Sequence, residues 1–135
     1  MKILVLGYSS LCKRKIIPLL NKKLSKIKFC VCSKTQKKEN IGAYEWYRNY
    51  ENALEESKAD LVYISLMNSQ HYYWAKKFLE KKYHVIVDKP ATLNFKQAKD
   101  PGLLKLPTLP KTLLNLLCFH CGPRVPPRLS QIVSN

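Results

Sequence analysis

Short apolar runs alternate with amphipathic segments over residues 1–99. The apolar runs predict β-strands at residues 3–6, 28–33, 44–47, 60–66 and 84–87. The run at 60–66 is apolar almost throughout, as expected for a strand that is covered on both faces. Helical patterns lie between the strands, at 11–22, 53–58 and 72–82. Strands that alternate with helices in this way predict an α/β fold with a doubly wound parallel sheet.

Three helical segments carry further local signals. The helix at 72–82 has the clearest two-sided pattern, with an apolar face formed by Tyr72, Ala75, Phe78 and Leu79. The helix at 11–22 contains Pro18, which predicts a kink or local break because proline has no backbone N–H. Asn94 and Gln97 have the spacing of a helix start in which Asn94 caps the helix and Gln97 reaches back.

The α/β pattern ends near residue 99, which predicts a domain at 1–99 and an irregular tail at 100–135. After Asp100 the chain has no acidic residue, and six of its eight prolines lie there. A short helix at 113–119 is the one regular element that the tail suggests. The tail is interpreted as a flexible interaction segment, a cap on the sheet edge, or out-of-frame translation after a disruption near residue 100. We favour the third interpretation because a helix has just been capped and then loses its pattern.

The chain is strongly basic, with 24 Lys and Arg against 9 Asp and Glu and a formal charge of +15. Such a charge attracts phosphates, either of nucleic acid or of a phosphorylated cofactor. A solvated lysine-rich surface is the simpler interpretation. The lysines are spread along the chain without a nucleic-acid motif, so nucleic acid is not expected as a partner.

Cysteine usage and the N-terminus favour a cytoplasmic protein. Cys30 and Cys32 alternate along a predicted strand and therefore share one face, which we expect to be buried. Cys118 and Cys121 enclose His120, but no second cysteine pair accompanies them, so no metal site is predicted. Free thiols fit a reducing compartment. The sequence shows neither a signal peptide nor an apolar run long enough to cross a membrane, so no membrane partner is expected.

Polar and titratable residues follow two of the predicted strands. Asn68 and His71 come after the strand at 60–66, and Asp88, Lys89 and Pro90 follow the strand at 84–87. Ligands of parallel sheets bind outside the carboxyl ends of the strands. These residues are therefore candidates for a ligand site, and Leu66 joins them at the end of its strand.

The turn after the first strand has the form of a phosphate-binding turn. The dinucleotide fingerprint is G-x-G-x-x-G or A, and here the string is Gly7-Tyr8-Ser9-Ser10-Leu11-Cys12. Gly7 keeps the first position. Ser9 is small enough for close backbone approach, and its hydroxyl is expected to donate to a phosphate oxygen. Cys12 is small enough for the helix and strand to pack. Ser10 and Leu11 open the helix beside the phosphates, and the alternative is an ordinary β-to-α turn.

The end of the second strand indicates which ribose the site would bind. An acidic residue there binds the free 2′-hydroxyl of NAD. This chain has Ser33 and Lys34, followed by further lysines. Because lysine supplies charge and serine a donor, the sequence favours NADP over NAD. The alternative is a solvated basic loop that contacts no ligand.

Three segments together resemble the N-terminal, Rossmann-type NAD(P)-binding domain of the glucose–fructose oxidoreductase, inositol dehydrogenase and MocA (Gfo/Idh/MocA) family. They are MKILVLGYSSLCKRKIIPLL, ADLVYISLMNSQH and HVIVDKP, which resemble the family's opening turn, its strand ending in P-N-x-x-H and its strand ending in E-K-P. Met67 stands where the family has proline, and Asp88 replaces glutamate. Ser9 and Cys12 replace small residues of the fingerprint.

The resemblance implies hydride transfer between NAD(P) and a carbinol carbon of a sugar, sugar nucleotide or cyclitol. It makes Lys89 the catalytic residue, beside the nicotinamide and substrate, and expects it between apolar strands. Asp88 becomes its neighbour or a cofactor contact, and Asn68 and His71 line the nicotinamide side of the cleft. Pro90 would fix the turn, through a cis peptide in one version. For His71 the alternative is a helix N-terminal residue bonded to backbone.

Family members carry a second α/β domain that supplies most of the substrate pocket, and residues 100–135 do not resemble it. We therefore expect the chain to be truncated and catalytically incomplete, with a sugar-like substrate only if a substrate domain is supplied. A non-catalytic dinucleotide-binding regulatory module is one alternative function. A basic nucleic-acid binder is the other, and it predicts binding that weakens with salt and has no preference for dinucleotides.

Overall fold

The computed structural model describes residues 1–23, 27–35, 38, 40–43 and 45–104. The predicted helix at 113–119, the pair Cys118 and Cys121 and all other residues after 104 lie outside the described residues.

Five parallel strands form one sheet in the order β3-β2-β1-β4-β5. The strands are β1 (Lys2–Leu6), β2 (Lys28–Cys32), β3 (Glu45–Tyr47), β4 (Leu61–Ile64) and β5 (His84–Val87). From β1 the chain runs outward through β2 to β3 on one side of β1. It then crosses to β4 and β5 on the other side of β1. This is a doubly wound Rossmann-type sheet, and it confirms the predicted fold class and all five predicted strands.

The helices connect these strands on both faces of the sheet. A π-helical turn at Cys12–Ile16 leads into α1 (Ile17–Lys23), and α2 (Tyr50–Glu56), α3 (Asn68–Glu80), α4 (Phe95–Ala98) and α5 (Pro101–Leu104) follow. None of the helices in the described part of the chain is long and apolar enough to span a membrane.

Pro18 interrupts the first helix as predicted. The backbone N–H of Ile17 donates to the carbonyl oxygen of Cys12, five residues back, and the regular α-helix begins at Ile17. Pro18 has no backbone N–H and cannot donate a helix hydrogen bond. The π-helical turn therefore lies directly before the position where the helix loses a donor.

The predicted start of α3 at residue 72 is wrong, because the helix begins at Asn68. Met67 precedes it in extended conformation without a side-chain cap, and its carbonyl oxygen accepts from Gln70 N at 2.8 Å. No polar N-cap side chain marks this start, so the sequence gives little sign of it. Asn68 and His71 therefore belong to the first turn of the helix. Helix α2 also begins earlier than predicted, with Asn49 as its cap.

Two apolar clusters pack on opposite faces of the sheet, because side chains alternate along each strand. One face carries Leu4, Leu6, Cys30, Cys32, Val62 and Ile64 against α2 and α3. The other carries Ile3, Val5, Phe29, Val31, Leu61 and Tyr63 against the π-helical turn and α1. Cys30 and Cys32 are fully buried on one face, which confirms that prediction.

The packed structure continues past residue 99, where the sequence pattern ends. The Asp100 carboxylate accepts from the Tyr72 hydroxyl and from Lys76 Nζ, the latter at 2.9 Å. Its other oxygen accepts from Gly102 N at 2.8 Å and thereby caps α5. Leu103 packs against the core cluster that α3 covers. Asp100 therefore ties the last described helix to α3.

Candidate functional site

A cavity of about 380 Å³ opens at the carboxyl ends of β1, β2 and β4. Its wall includes Gly7 and Ser9 from the turn after β1, Ser33 and Lys34 after β2, and Ser65 and Leu66 after β4. The strand order reverses between β1 and β4, and ligands of doubly wound sheets bind at that reversal. Its volume lies within the range of small-molecule and cofactor pockets. The fold therefore forms a ligand cavity where the sequence predicts a dinucleotide site.

Glycine is the one residue type that fits at position 7, in the turn after β1. Its φ is +94°, and a Cβ there would lie 2.4 Å from the carbonyl oxygen of Ser65. Its N–H donates to the carbonyl oxygen of Cys32 at 2.8 Å. The missing side chain therefore lets the turn pass against the end of β4 and leaves room beside it for a ligand.

Ser9 is already engaged within the protein. Its Oγ lies 2.6 Å from Ser65 Oγ and accepts from Cys12 N at 3.1 Å. The expected hydroxyl donation to a phosphate therefore competes with a bond to Ser65. Ser9 lines the cavity, but as part of an internal chain of hydrogen bonds.

The next residues of the turn face different surroundings. Ser10 and Leu11 are exposed first residues of the helix and do not line the cavity, and the Ser10 carbonyl oxygen accepts from Arg14 Nε at 3.3 Å. Cys12 is fully buried against the sheet, as its small size at the third fingerprint position suggests. Burial raises the pKa of its thiol to about 12, with a smaller contribution from the charge of Asp88.

The end of β2 brings Ser33 and Lys34 to the cavity. Ser33 is buried, and its N–H donates to the Tyr47 carbonyl oxygen at 3.0 Å. Lys34 is exposed, and its Nζ lies 4.7 Å from the centre of the Tyr50 ring, in a cation–π contact. Tyr50, the first residue of α2, also lines the cavity. An ammonium group held at this end of the cavity supplies positive charge where the ribose is expected.

The structure places His71 in the core and not on the cavity wall. Its side chain is 1% exposed; Nδ1 lies 2.8 Å from the carbonyl oxygen of Pro90 and Nε2 lies 2.9 Å from that of Leu66. This corresponds to the alternative of a helix residue bonded to backbone, and both imidazole nitrogens face protein. His71 therefore joins the loop after β4 to the loop after β5. Asn68, one turn earlier, is exposed and does not line the cavity.

Asp88 faces the end of the sheet. Its Oδ1 accepts from the Tyr63 hydroxyl at 2.5 Å, and its Oδ2 accepts from Ser65 Oγ at 2.7 Å. Its backbone N–H donates to the carbonyl oxygen of Ile64 at 3.0 Å and so continues the hydrogen bonding between β5 and β4. Burial raises the pKa of Tyr63, and the bond to Asp88 adds to that effect. The carboxylate is therefore directed at β4, and its first contacts are two hydroxyl groups.

Lys89 and Pro90 form an exposed turn after β5. The peptide bond between them is cis, which is one of the ways in which Pro90 was expected to fix the turn. Lys89 is exposed and not enclosed between apolar strands, contrary to that expectation. Among the described residues it forms no ion pair, so its amine stays available at the carboxyl edge of the sheet.

The family model described as "Oxidoreductase family, NAD-binding Rossmann fold" (GFO_IDH_MocA) matches residues 1–102 of the 135. The chain belongs to the Gfo/Idh/MocA oxidoreductase family. It contains the family's NAD-binding domain. The cavity lies at the reversal of strand order, where doubly wound sheets bind dinucleotides.

Solved structures share this fold. A 3-ketoreductase from Actinomadura kijaniata in complex with TDP-benzene and NADP has a TM-score of 0.65 at 22% identity, over 77% of this chain and 34% of that one. D-galactose-1-dehydrogenase from Rhizobium etli has a TM-score of 0.65 at 20% identity, over 78% of this chain and 34% of that one. A putative oxidoreductase from Klebsiella pneumoniae has a TM-score of 0.65 at 28% identity, over 74% of this chain and 30% of that one. The chain thus spans about a third of the length of these structures.

Sequence reasoning missed three residues that shape this candidate site. Ser65 and Tyr63 hold the Asp88 carboxylate, and Tyr50 packs under Lys34. Ser65 carries the one available signal, since it is a polar residue at the end of an otherwise apolar run. Tyr63 and Tyr50 look like ordinary core residues in the sequence, because their partners come from distant segments.

Proposed function

We propose that this chain is the NADP-binding domain of an oxidoreductase that transfers hydride to or from a sugar, sugar nucleotide or cyclitol. The observation that carries the choice of cofactor is the pair Ser33 and Lys34 on the cavity wall at the end of β2. In NAD-dependent enzymes of this fold an acidic residue binds the ribose there. A lysine attracts a 2′-phosphate, whereas it gives a free 2′-hydroxyl little advantage.

The cavity suggests how the cofactor lies. The adenosine ribose would occupy the end near Lys34 and Tyr50, and the diphosphate would pass Gly7, where the missing Cβ leaves space. The nicotinamide would then extend past Leu66 toward the turn that carries Lys89. This path follows the carboxyl edge of the sheet from β2 across β1 to β4 and β5.

The catalytic proposal centres on Lys89. A bound nicotinamide dinucleotide supplies the hydride donor or acceptor. We assign to the Lys89 amine the role of orienting the oxygen of the reacting carbon and exchanging a proton with it. Its exposure at the end of β5 supports this role, because no described residue neutralises it. Pro90 and His71 would hold the turn in place through the contact of His71 with the Pro90 carbonyl oxygen, 2.8 Å long.

The substrate class rests on the family and on two neighbours. One neighbour is named as a dehydrogenase of D-galactose and the other as a 3-ketoreductase with a TDP compound. The described residues supply the cofactor side of the reaction, and hydride transfer also needs a substrate held against the nicotinamide. We therefore expect cofactor binding without turnover from the 135-residue chain. Measurable oxidation of a sugar or polyol by the purified chain would contradict this expectation.

The proposed cytoplasmic location agrees with the state of the cysteines. Cys12, Cys30 and Cys32 are free thiols among the described residues, and such thiols persist in a reducing compartment.

A titration of the purified chain with NADPH and NADH tests the cofactor proposal. We expect NADPH to bind more tightly, and Lys34→Ala to weaken NADPH by about 10- to 100-fold because a charged phosphate contact is lost. NADH affinity should stay within about twofold, since its ribose lacks that phosphate. Lys38→Ala is the matched control, because Lys38 is an exposed lysine outside the cavity wall. Equal loss from both variants would contradict a specific contact and favour general charge attraction.

A further inference from the structure

A chain of four hydrogen bonds joins the glycine turn to the end of β5. Cys12 N donates to Ser9 Oγ at 3.1 Å, and Ser9 Oγ lies 2.6 Å from Ser65 Oγ. Ser65 Oγ donates to Asp88 Oδ2 at 2.7 Å, and the Tyr63 hydroxyl donates to Asp88 Oδ1 at 2.5 Å. The residues come from three separate segments of the chain, residues 9–12 after β1, residues 63–65 at the end of β4 and Asp88 after β5. Both serines lie on the cavity wall.

The direction of this chain follows from counting hydrogens. A serine hydroxyl has one hydrogen to donate. Ser65 gives its hydrogen to the Asp88 carboxylate, so it can only accept from Ser9. Ser9 therefore gives its own hydrogen to Ser65 and receives one from Cys12 N. Asp88 thus sets the orientation of a hydroxyl group that it does not touch.

This direction changes what the Ser9 side chain presents to a ligand. With its hydrogen directed at Ser65, the Ser9 oxygen offers lone pairs alone to the cavity. A phosphate oxygen is also an acceptor, so the two repel each other at hydrogen-bond distance. The Cys12 N–H is also used internally and is withheld from the ligand.

We propose that Asp88 is a positioning residue which, through Ser65, holds Ser9 as a hydrogen-bond acceptor and so limits the affinity of the glycine turn for the cofactor's diphosphate. This inference rests on the proposed function, since it concerns the same cavity. It gives Asp88 a role at the diphosphate rather than beside Lys89.

Two variants release Ser9 in different ways. Ser65→Ala removes the acceptor of the Ser9 hydrogen without changing any charge. In Asp88→Asn the amide oxygen accepts from Tyr63, as Asp88 Oδ1 does, so the amide nitrogen donates to Ser65 and Ser65 then donates to Ser9. In both variants the Ser9 hydroxyl is free to donate to a phosphate oxygen. We expect both to bind NADPH about three- to tenfold more tightly than the unaltered chain.

Tyr47→Phe is the matched control. It likewise removes a tyrosine hydroxyl that donates to a carboxylate, that of Glu45 at 2.6 Å, but Tyr47 does not line the cavity. Its NADPH affinity should stay within about twofold of the unaltered chain. A purely structural role for the network predicts weaker binding in both Ser65→Ala and Asp88→Asn. Tighter binding in Asp88→Asn alone would indicate a loss of negative charge as the cause. Either result overturns the inference.

The titration separates this inference from the proposed function. If the unaltered chain binds neither NADPH nor NADH, the proposed function fails. The inference is then decided with inorganic pyrophosphate, which needs only the turn, titrated calorimetrically against the same four proteins. Tighter pyrophosphate binding by Ser65→Ala and Asp88→Asn, with Tyr47→Phe unchanged, supports it. Equal pyrophosphate affinity, or none, across the set overturns it.

Discussion

Gly7 and the carbonyl oxygen of Ser65 lie so close that a Cβ at position 7 would be 2.4 Å from that oxygen. The neighbouring atom belongs to the backbone directly after β4 and cannot rotate away. The φ of +94° adds a second constraint, because side chains disfavour it. The turn and the strand end therefore depend on glycine at this position for two separate reasons.

Gly7→Ala should destabilise the fold by roughly 2–3 kcal/mol, since it combines backbone strain with a steric clash. Urea denaturation of the two proteins measures the difference. Gly42→Ala is the control for strain alone, because Gly42 has φ +79° but its Cβ would find its nearest atom at 3.5 Å. We expect the control to cost about 1 kcal/mol. Equal losses at both positions would show that the contact with Ser65 contributes nothing.

His71→Phe should lower the free energy of unfolding by roughly 1–3 kcal/mol, because it removes the buried imidazole N–H donor that is held between the carbonyl oxygens of Leu66 and Pro90. His84→Phe is the matched control, since His84 is exposed at the start of β5, and we expect a change within about 0.5 kcal/mol. Chemical denaturation followed by tryptophan fluorescence reports both. Similar effects of the two substitutions would contradict the view that His71 joins the loops after β4 and β5.

Asp100 should make the docking of α5 dependent on pH. Hydrogen bonds from Tyr72 and Lys76 lower the pKa of its carboxyl group from 3.8 to about 2. A lowered native pKa stabilises the fold fully above the unfolded value, and that stabilisation is lost as the pH falls toward the native value. The stability difference between the unaltered chain and Asp100→Asn should therefore be constant near neutral pH and shrink between about pH 4 and pH 2.

Thermal denaturation of both proteins across that pH range measures this difference. Hydrogen bonds from Tyr47 and Lys2 also lower the pKa of Glu45 to about 2, but Glu45 is common to both proteins and cancels in the comparison. A difference that does not vary with pH would show that the charge of Asp100 plays no part in holding α5 to α3.

The three described cysteines should resist thiol reagents in the native chain. Burial raises the pKa of Cys12 and Cys32 to about 12 and that of Cys30 to about 11, and thiolate is the reactive form. A Cys118→Ser/Cys121→Ser variant leaves these three alone. We expect negligible labelling by a disulfide reagent near pH 8 until denaturant is added, after which all three react. One rapidly reacting equivalent in the native variant would contradict this packing.

The sheet could be predicted from sequence because each strand carries its own local pattern. The apolar runs and the switch between strand and helix periods place all five strands within a few residues. Pro18 likewise announces the break before α1, since the missing N–H is a property of the residue itself. The start of α3 was missed because Met67 gives no capping signal.

The candidate site was less predictable because its contacts join distant segments. Gly7, Ser9, Ser33 and Lys34 follow local rules of turn and strand end, and all four line the cavity. The carboxylate of Asp88 finds Tyr63 and Ser65 only through the register of β4 beside β5. His71 reaches Pro90 across nineteen residues of sequence. Such pairings depend on the folded arrangement, so the sequence offers the residues but not their partners.

Hydrogen exchange followed by mass spectrometry, with and without saturating NADPH, tests the central claim most directly. We expect NADPH to slow exchange in peptides that cover the turn after β1, the end of β2 and the loop after β4, at residues 7–13, 33–35 and 65–70. The exchange of peptides at the amino ends of the strands, away from the cavity, should be unchanged. A folded chain whose exchange NADPH leaves unaltered, or protects only elsewhere, would contradict the assignment of this cavity as the dinucleotide site.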